Sequence, residues 1–276
     1  GIIDDLITYR FEEDKFLVVP NAGNADTVWD ELNNRAEGFD VSLKNESRDV
    51  AMIAVQGPKA AEILVPLVED NKQDEVYNLG YYAATMGKVA RTFAIIARTG
   101  YTGEDGFELI VYNSDAAQLW EELLKAGAEY DLKPCGLAAR DSLRLEAGMP
   151  LYGNELSRDI TPVEAGMARA FAKKEADFVG SEVVRQRAAE GPQVAITGLT
   201  SEQRRAARAG AEVFVGDEKV GTVTSGQPSP TLGHPVAIAL LNTGANLEPG
   251  SAVEVEIRGK RYPFEVTALP FYKRDK

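Results

Sequence analysis

The sequence predicts a mixed α+β chain that ends in an all-β barrel or sandwich. Three patterns carry that expectation. Up to about residue 190, short apolar strands are interleaved with helical periodicities, the arrangement of α+β units. From Val194 onward the helical period disappears, and strands at 194–199, 212–215, 219–225, 236–241, 252–258 and 262–267 follow one another, with turn pairs such as Gly216-Asp217 and Gly259-Lys260 between them. Within the first region, Arg98-Thr-Gly-Tyr-Thr-Gly-Glu-Asp-Gly-Phe-Glu-Leu109 sets three glycines in seven residues between two apolar flanks, which reads as a glycine-rich loop joining two strands.

In order, residues 2–9 read as a strand carrying Asp4 and Asp5, whose side chains alternate across it. The residues leave two readings open. One acid approaches an interior or a cleft, where it needs partners, or a bulge leaves both wet. A turn at 12–15 leads into a strand at 16–19, and Asn24 or Asp26 caps a helix running to about Ala36. A strand at 39–43 follows, so strand, strand, helix, strand make up most of a split βαβ sandwich.

A second unit starts with an apolar strand at 50–55 and a helix opened by Gly57-Pro58 and running through Leu67, with the proline where its missing N–H costs least. Residues 89–97 and 107–112 are the strands around the glycine loop, and residues 113–115 cap a helix to about Ala126. Residues 137–145 carry a helical period with Arg140 and Arg144 four apart on one face, each open to a salt bridge or to an anion. Tyr152, Asn154 and Glu155 lie in the exit loop; a short strand at 167–171 and a helix from Gly180-Ser181 to about Glu190 complete the region.

The glycine loop offers Tyr101, Glu104 and Asp105, with Glu108 one residue into the following strand. Carboxylates beside a flat ring suit a planar ligand with adjacent N–H donors, and a pterin or guanine edge presents two such donors side by side. The alternative is a solvated hairpin tip with ordinary surface acids.

Composition bounds the function. A chain of 276 residues, 44% hydrophobic and 26% charged, suits two or three globular units, and no apolar run is long enough for a membrane anchor. The formal charge of -13 disfavours nucleic acid as a partner. Cys135 is the only cysteine, which excludes an internal disulfide framework and suits a reducing, cytoplasmic setting. His234 is the only histidine and sits in a turn-like stretch, so chemistry falls to carboxylates, tyrosines and arginines. Neither a G-x-x-x-x-G-K-[ST] loop nor a G-x-G-x-x-G fingerprint is present. Residues 201–210 form a basic island that either docks an acidic surface or is simply solvated.

Several stretches taken together resemble the aminomethyltransferase (T-protein) family of the glycine cleavage system. They are Gly1-Ile-Ile-Asp-Asp-Leu-Ile7, Gln56-Gly-Pro58, the Arg98 to Leu109 loop, Gly136-Leu-Ala-Ala-Arg-Asp-Ser-Leu-Arg-Leu-Glu-Ala-Gly148 with Leu151-Tyr-Gly153, and Gly221-Thr-Val-Thr-Ser-Gly-Gln-Pro-Ser-Pro-Thr-Leu-Gly233. The resemblance implies an α+β three-domain cloverleaf: a ferredoxin-like folate-binding part from 1–46 with 138–189, a second α+β domain at 47–137, and a C-terminal β-barrel at 190–276. It implies tetrahydrofolate as co-substrate in a central channel, lipoylated H-protein as the transient partner, and no metal. The reaction so implied moves the methylene of the aminomethyl group to tetrahydrofolate and releases ammonia.

By motif, the resemblance makes Asp5 the catalytic carboxylate near folate N5 and N10. It gives Glu108 the pterin edge, places Tyr101, Tyr9 and Tyr82 around the pocket, and makes Arg140 a substrate contact. The folate tail calls for a cation such as Lys273 or Arg274. Family members carry a segment ahead of Gly1, so the resemblance also implies a shortened chain with a partly open site. Two neighbouring readings share the motifs. One is the folate domain of a sarcosine- or dimethylglycine-oxidising enzyme, which normally follows a flavin domain, and the other is a folate-binding module without turnover. The related iron-sulfur assembly factors carry a Lys-Gly-Cys-Tyr signature, whereas Cys135 sits in Lys-Pro-Cys-Gly.

Overall fold

A computed structural model describes residues 1–171, 174 and 176–274. The chain divides into two compact units, one made of Leu6–Arg140 and the other of Gly1–Asp5 with Asp141–Lys276.

The Leu6–Arg140 unit opens with a hairpin of β1 (Ile7–Arg10) and β2 (Phe16–Val19), followed by helix α1 (Ala25–Ala36). Its main sheet is antiparallel in the order β3 (Val50–Gln56), β6 (Gly106–Tyr112), β5 (Thr92–Ala97), β4 (Ala84–Val89). Alternation sets the faces: in β4, Thr85, Gly87 and Val89 are buried while Met86 and Lys88 are exposed. Helices α2 (Ala60–Leu64), α3 (Gln73–Tyr77) and α4 (Asn113–Ala126) supply Leu64, Val76, Leu119 and Leu123 to a core shared with Val55, Val89, Ile96, Phe107 and Leu109. Each such buried side chain contributes roughly 1.5–3 kcal/mol.

Four expectations for the chain's first 171 residues are corrected. The first strand begins at Ile7, not Ile2, because only Ile7 to Arg10 find partners in β2. Residues 39–43 are not a strand, since their alternating pattern meets no neighbour, and Phe39 and Val41 are left exposed. The stretch 89–97 is broken after Val89 by a turn at Ala90 and Arg91, both with positive φ, which folds β4 back onto β5. Residues 168–171, in the other unit, are helical (α6, Ala168–Phe171).

Helix α5 (Leu137–Glu146) carries the chain from the first unit into the second. In the second unit, α7 (Ser181–Glu190) precedes a closed six-stranded barrel in the order β10 (Pro235–Asn242), β7 (Val194–Thr200), β12 (Lys260–Thr267), β11 (Ala252–Ile257), β8 (Glu212–Val215), β9 (Glu218–Pro228). Closure leaves no unpaired edge. Leu199, Val213, Val223, Ala239, Val255, Phe264 and Val266 fill the interior. Buried Glu146 ties the end of α5 to the loop after β9: its carboxylate accepts from the Ser229 hydroxyl, from Thr231 N at 3.1 Å and from the Thr231 hydroxyl at 2.7 Å. All six strands expected from the sequence are present.

Candidate active site

The glycine-rich loop between β5 and β6 is braced from β3. Gln56 Nε2 donates to Thr99 O at 3.0 Å and to Phe107 O at 3.2 Å, while Thr102 donates to Gln56 Oε1 at 3.2 Å. That amide occupies the space where a side chain at Gly100 or Gly106 would stand, which is why both positions are glycine. Gly103 turns the tip with φ of +78°. Arg98 forks onto Asp105 through Nε at 3.0 Å and Nη2 at 2.7 Å and donates to the carbonyls of Tyr77 and Leu79, closing the base of the loop. The Asp105 carboxylate is therefore a structural partner of Arg98.

Glu108, like Glu104 in the loop, is half-buried. It lies on β6, paired with Ala97 on one side and Ala54 on the other, so only methyl groups flank it along that row. Its Oε2 accepts from the Thr99 hydroxyl at 2.5 Å, and Thr99 Oγ1 in turn contacts the Tyr9 hydroxyl at 3.2 Å. Thr99 and Tyr9 are buried, at 1% and 6% exposure. Burial pushes the Tyr9 phenol above its ordinary 10.0; the Thr99 hydrogen bond opposes the rise and the Glu108 charge adds to it. Tyr101 lies in the loop under the Arg140 guanidinium, whose carbon is 4.8 Å from the ring centre. Tyr82, exposed and with positive φ, stacks at a tilt on Tyr81, and its backbone N–H donates to Arg98 O at 3.0 Å. The Leu6–Arg140 unit thus links Tyr9 to Glu108 and Tyr101 to Arg140. Thr99 was not singled out from the sequence. A threonine in a glycine-rich loop carries no signal of its own, and its link to Tyr9 spans 90 positions.

Asp5 and Arg274 belong to the other unit. There the N-terminal stretch is fastened by Ile2 N, which donates to Ser157 O at 2.9 Å and Ile160 O at 3.0 Å, and by the Tyr152 hydroxyl, which donates to Ile2 O at 3.0 Å. Asp4 and Asp5 are both half-buried, so neither is a fully wet surface acid. Lys273 and Arg274 are exposed just after Tyr272, whose N–H is held by Glu146 O at 2.8 Å.

The two arginines of α5 divide. Arg144, 1% exposed, forks onto Asp141 and reaches Glu155 at 3.0 Å, Met149 O at 3.2 Å and the Ser225 hydroxyl at 2.7 Å, so it takes the salt-bridge reading. Asn154 also reaches Ser225, at 2.9 Å, and Gln227 reaches Asp141. His234 is a turn residue: its ring meets the Thr200 hydroxyl at 3.0 Å and its carbonyl accepts from Ser229 N at 3.0 Å. No helix among the described residues is long and apolar enough to cross a membrane.

The chain thus carries a braced carboxylate loop in an α+β unit and, further on, a closed six-stranded barrel, and family models match it over two stretches. Residues 1–175 match the model of the GCVT N-terminal domain, and residues 195–273 match that of the glycine cleavage T-protein C-terminal barrel domain. An aminomethyltransferase of Corynebacterium aurimucosum is 84% identical over 276 residues, covering all of this chain and 75% of the relative. One of Streptomyces avermitilis is 52% identical over 281 residues, covering 74% of that protein. The crystal structure of glycine cleavage system aminomethyltransferase T from Bartonella henselae superposes with a TM-score of 0.87 at 36% identity, over 99% of this chain and 73% of that one. The chain belongs to the aminomethyltransferase (T-protein) family of the glycine cleavage system.

Proposed function

We propose that the aminomethyl transfer of this family runs here with tetrahydrofolate as one-carbon acceptor and lipoylated H-protein as donor, in the cytoplasm. The observation that carries the reading is Glu108: an acceptor-only carboxylate, pinned by Thr99 in the same hairpin as the stacked Tyr101, matches the paired N–H donors of a pterin edge. In this reading Tyr101, Tyr9 and Tyr82 line the ring, Arg140 contacts substrate and Arg274 meets the folate tail. The three-part division at 1–46 with 138–189, 47–137 and 190–276 goes with it.

The transfer balances without an outside oxidant or reductant. The methylene carbon ends bonded to N5 and N10 of the folate, while its bonds to the amine nitrogen and to the lipoyl sulfur break. The protons lost from N5 and N10 leave with ammonia and on the lipoyl thiol. Asp5, as a carboxylate, stabilises the positive charge that develops on the attacking nitrogen. The test is turnover of the full chain with aminomethyl-loaded H-protein. Ammonia release is expected to depend on tetrahydrofolate, and Asp5→Asn to lower turnover by about a hundredfold with folate affinity changed little. Ammonia release at the same rate with and without folate would contradict the proposal.

A further inference from the structure

The hydroxyl hydrogens of the Tyr9, Thr99 and Glu108 chain have one consistent arrangement when Glu108 is ionised. A carboxylate has no hydrogen to give, so the 2.5 Å contact is Thr99 donating to Glu108 Oε2. Thr99 has a single hydroxyl hydrogen and has spent it, so the 3.2 Å contact is Tyr9 donating to the Thr99 lone pair. The raised Tyr9 pKa keeps that phenol protonated at neutral pH, as the arrangement requires. Direction therefore runs one way, from Tyr9 through Thr99 to Glu108.

Thr99 is well placed to hold an orientation. Its side chain is β-branched and stiff at χ1. Its carbonyl is gripped by Gln56, and the preceding residue, Arg98, is forked onto Asp105. A short charge-assisted hydrogen bond from such a group fixes the plane of the Glu108 carboxylate and takes one of its four lone-pair sites. Among the described residues the Glu108 carboxylate accepts no other hydrogen bond, and its cross-strand partners on β3 and β5 are alanines, which cannot supply one from their side chains.

We infer that Thr99 is the positioning residue for two-point recognition by Glu108, with Tyr9 acting through it, and that this pair sets the preference for a ligand edge bearing two adjacent N–H donors. The inference rests on the folate reading above and deepens it. A carboxylate of fixed plane meets both donors at once, whereas a freely rotating one meets a single donor about as well as a pair. Thr99 therefore contributes discrimination, and a ligand with one of the two donors removed gains little from it.

The test is anaerobic calorimetry of the full chain with tetrahydrofolate and with its 2-desamino analogue, which lacks one donor. Thr99→Val is expected to weaken tetrahydrofolate binding about tenfold while changing the analogue less than about twofold, and Thr99→Ser to restore both. Tyr9→Phe is expected to cost about two- to threefold alone and nothing further in the Thr99→Val background. Equal loss for both ligands, or no rescue by serine, makes Thr99 a packing residue and overturns the inference. Binding that is lost in Glu108→Ala but indifferent to both Thr99→Val and Tyr9→Phe overturns it while leaving the folate site standing. A wild-type chain that binds no tetrahydrofolate overturns both.

Discussion

Arg140 places its guanidinium carbon 4.8 Å from the centre of the Tyr101 ring. Arg140 is exposed and Tyr101 half-buried, so the stack is worth about 0.5–1 kcal/mol. Its larger effect is to tie the Tyr101 ring in the glycine loop to the first turn of α5. Tyr101→Phe is expected to leave the KM for tetrahydrofolate within about twofold and Tyr101→Leu to raise it several-fold, with kcat less affected. Steady-state kinetics on both variants checks this, and equal KM values for Phe and Leu would count against it.

The brace from Gln56 predicts a specific pattern of damage and repair. Gly100→Ala forces its Cβ into the Gln56 amide and is expected to cost about 1–3 kcal/mol in urea denaturation. Gln56→Ala alone also destabilises, by removing the bonds to Thr99 O and Phe107 O. The double variant is expected to be more stable than the sum of the two losses implies, because the clash is gone. Strict additivity would show that the glycine serves something else.

Arg144 and Glu155 are both buried in the unit that contains the barrel, and Glu155 Oε1 has no hydrogen-bond partner among the described residues. Removing one partner of such a pair leaves a buried charge, so Arg144→Ala is expected to lose about 3–5 kcal/mol. Arg144→Met combined with Glu155→Leu should recover most of it. Thermal unfolding of the three proteins decides whether the pair holds the structure by its charges or by the volume they fill.

Tyr9 gives a pH dependence with a definite sign. Its folded pKa lies above the ordinary 10.0, so the fold favours the neutral phenol. That contribution to stability is complete below pH 10.0 and is lost as the pH rises through the folded value. The 295 nm absorbance titration of wild type minus Tyr9→Phe is expected to show one tyrosine ionising above 10.0. A difference curve centred at or below that pH would mean Tyr9 is not buried as described.

The barrel was legible because its strands are short apolar runs punctuated by local turn signals such as Gly216-Asp217, where Gly216 has positive φ, although the turn read at Gly259-Lys260 falls one residue earlier, at Arg258-Gly259. The glycine loop was legible for the same reason. Residues 39–43 were not, because Phe39, Val41 and Leu43 alternate as a strand does, and a strand also needs a partner that no local pattern reveals. Arg140 and Arg144 look alike in sequence, and only tertiary contacts separate a ring-stacked arginine from a buried ion pair. Of the candidate site, residue chemistry singled out Glu108 as the proposed acceptor, while its Thr99 donor went unnoticed because a threonine in a glycine-rich loop carries no signal of its own, and the Tyr9 contact behind it comes from 90 positions away.

The central claim is that Glu108 holds the pterin edge of tetrahydrofolate. Calorimetric titration of the full chain with tetrahydrofolate under anaerobic conditions, beside Glu108→Ala, tests it most directly. Saturable binding by the wild type that falls by at least about tenfold in the variant is the predicted result. Equal affinity in the two proteins would contradict it.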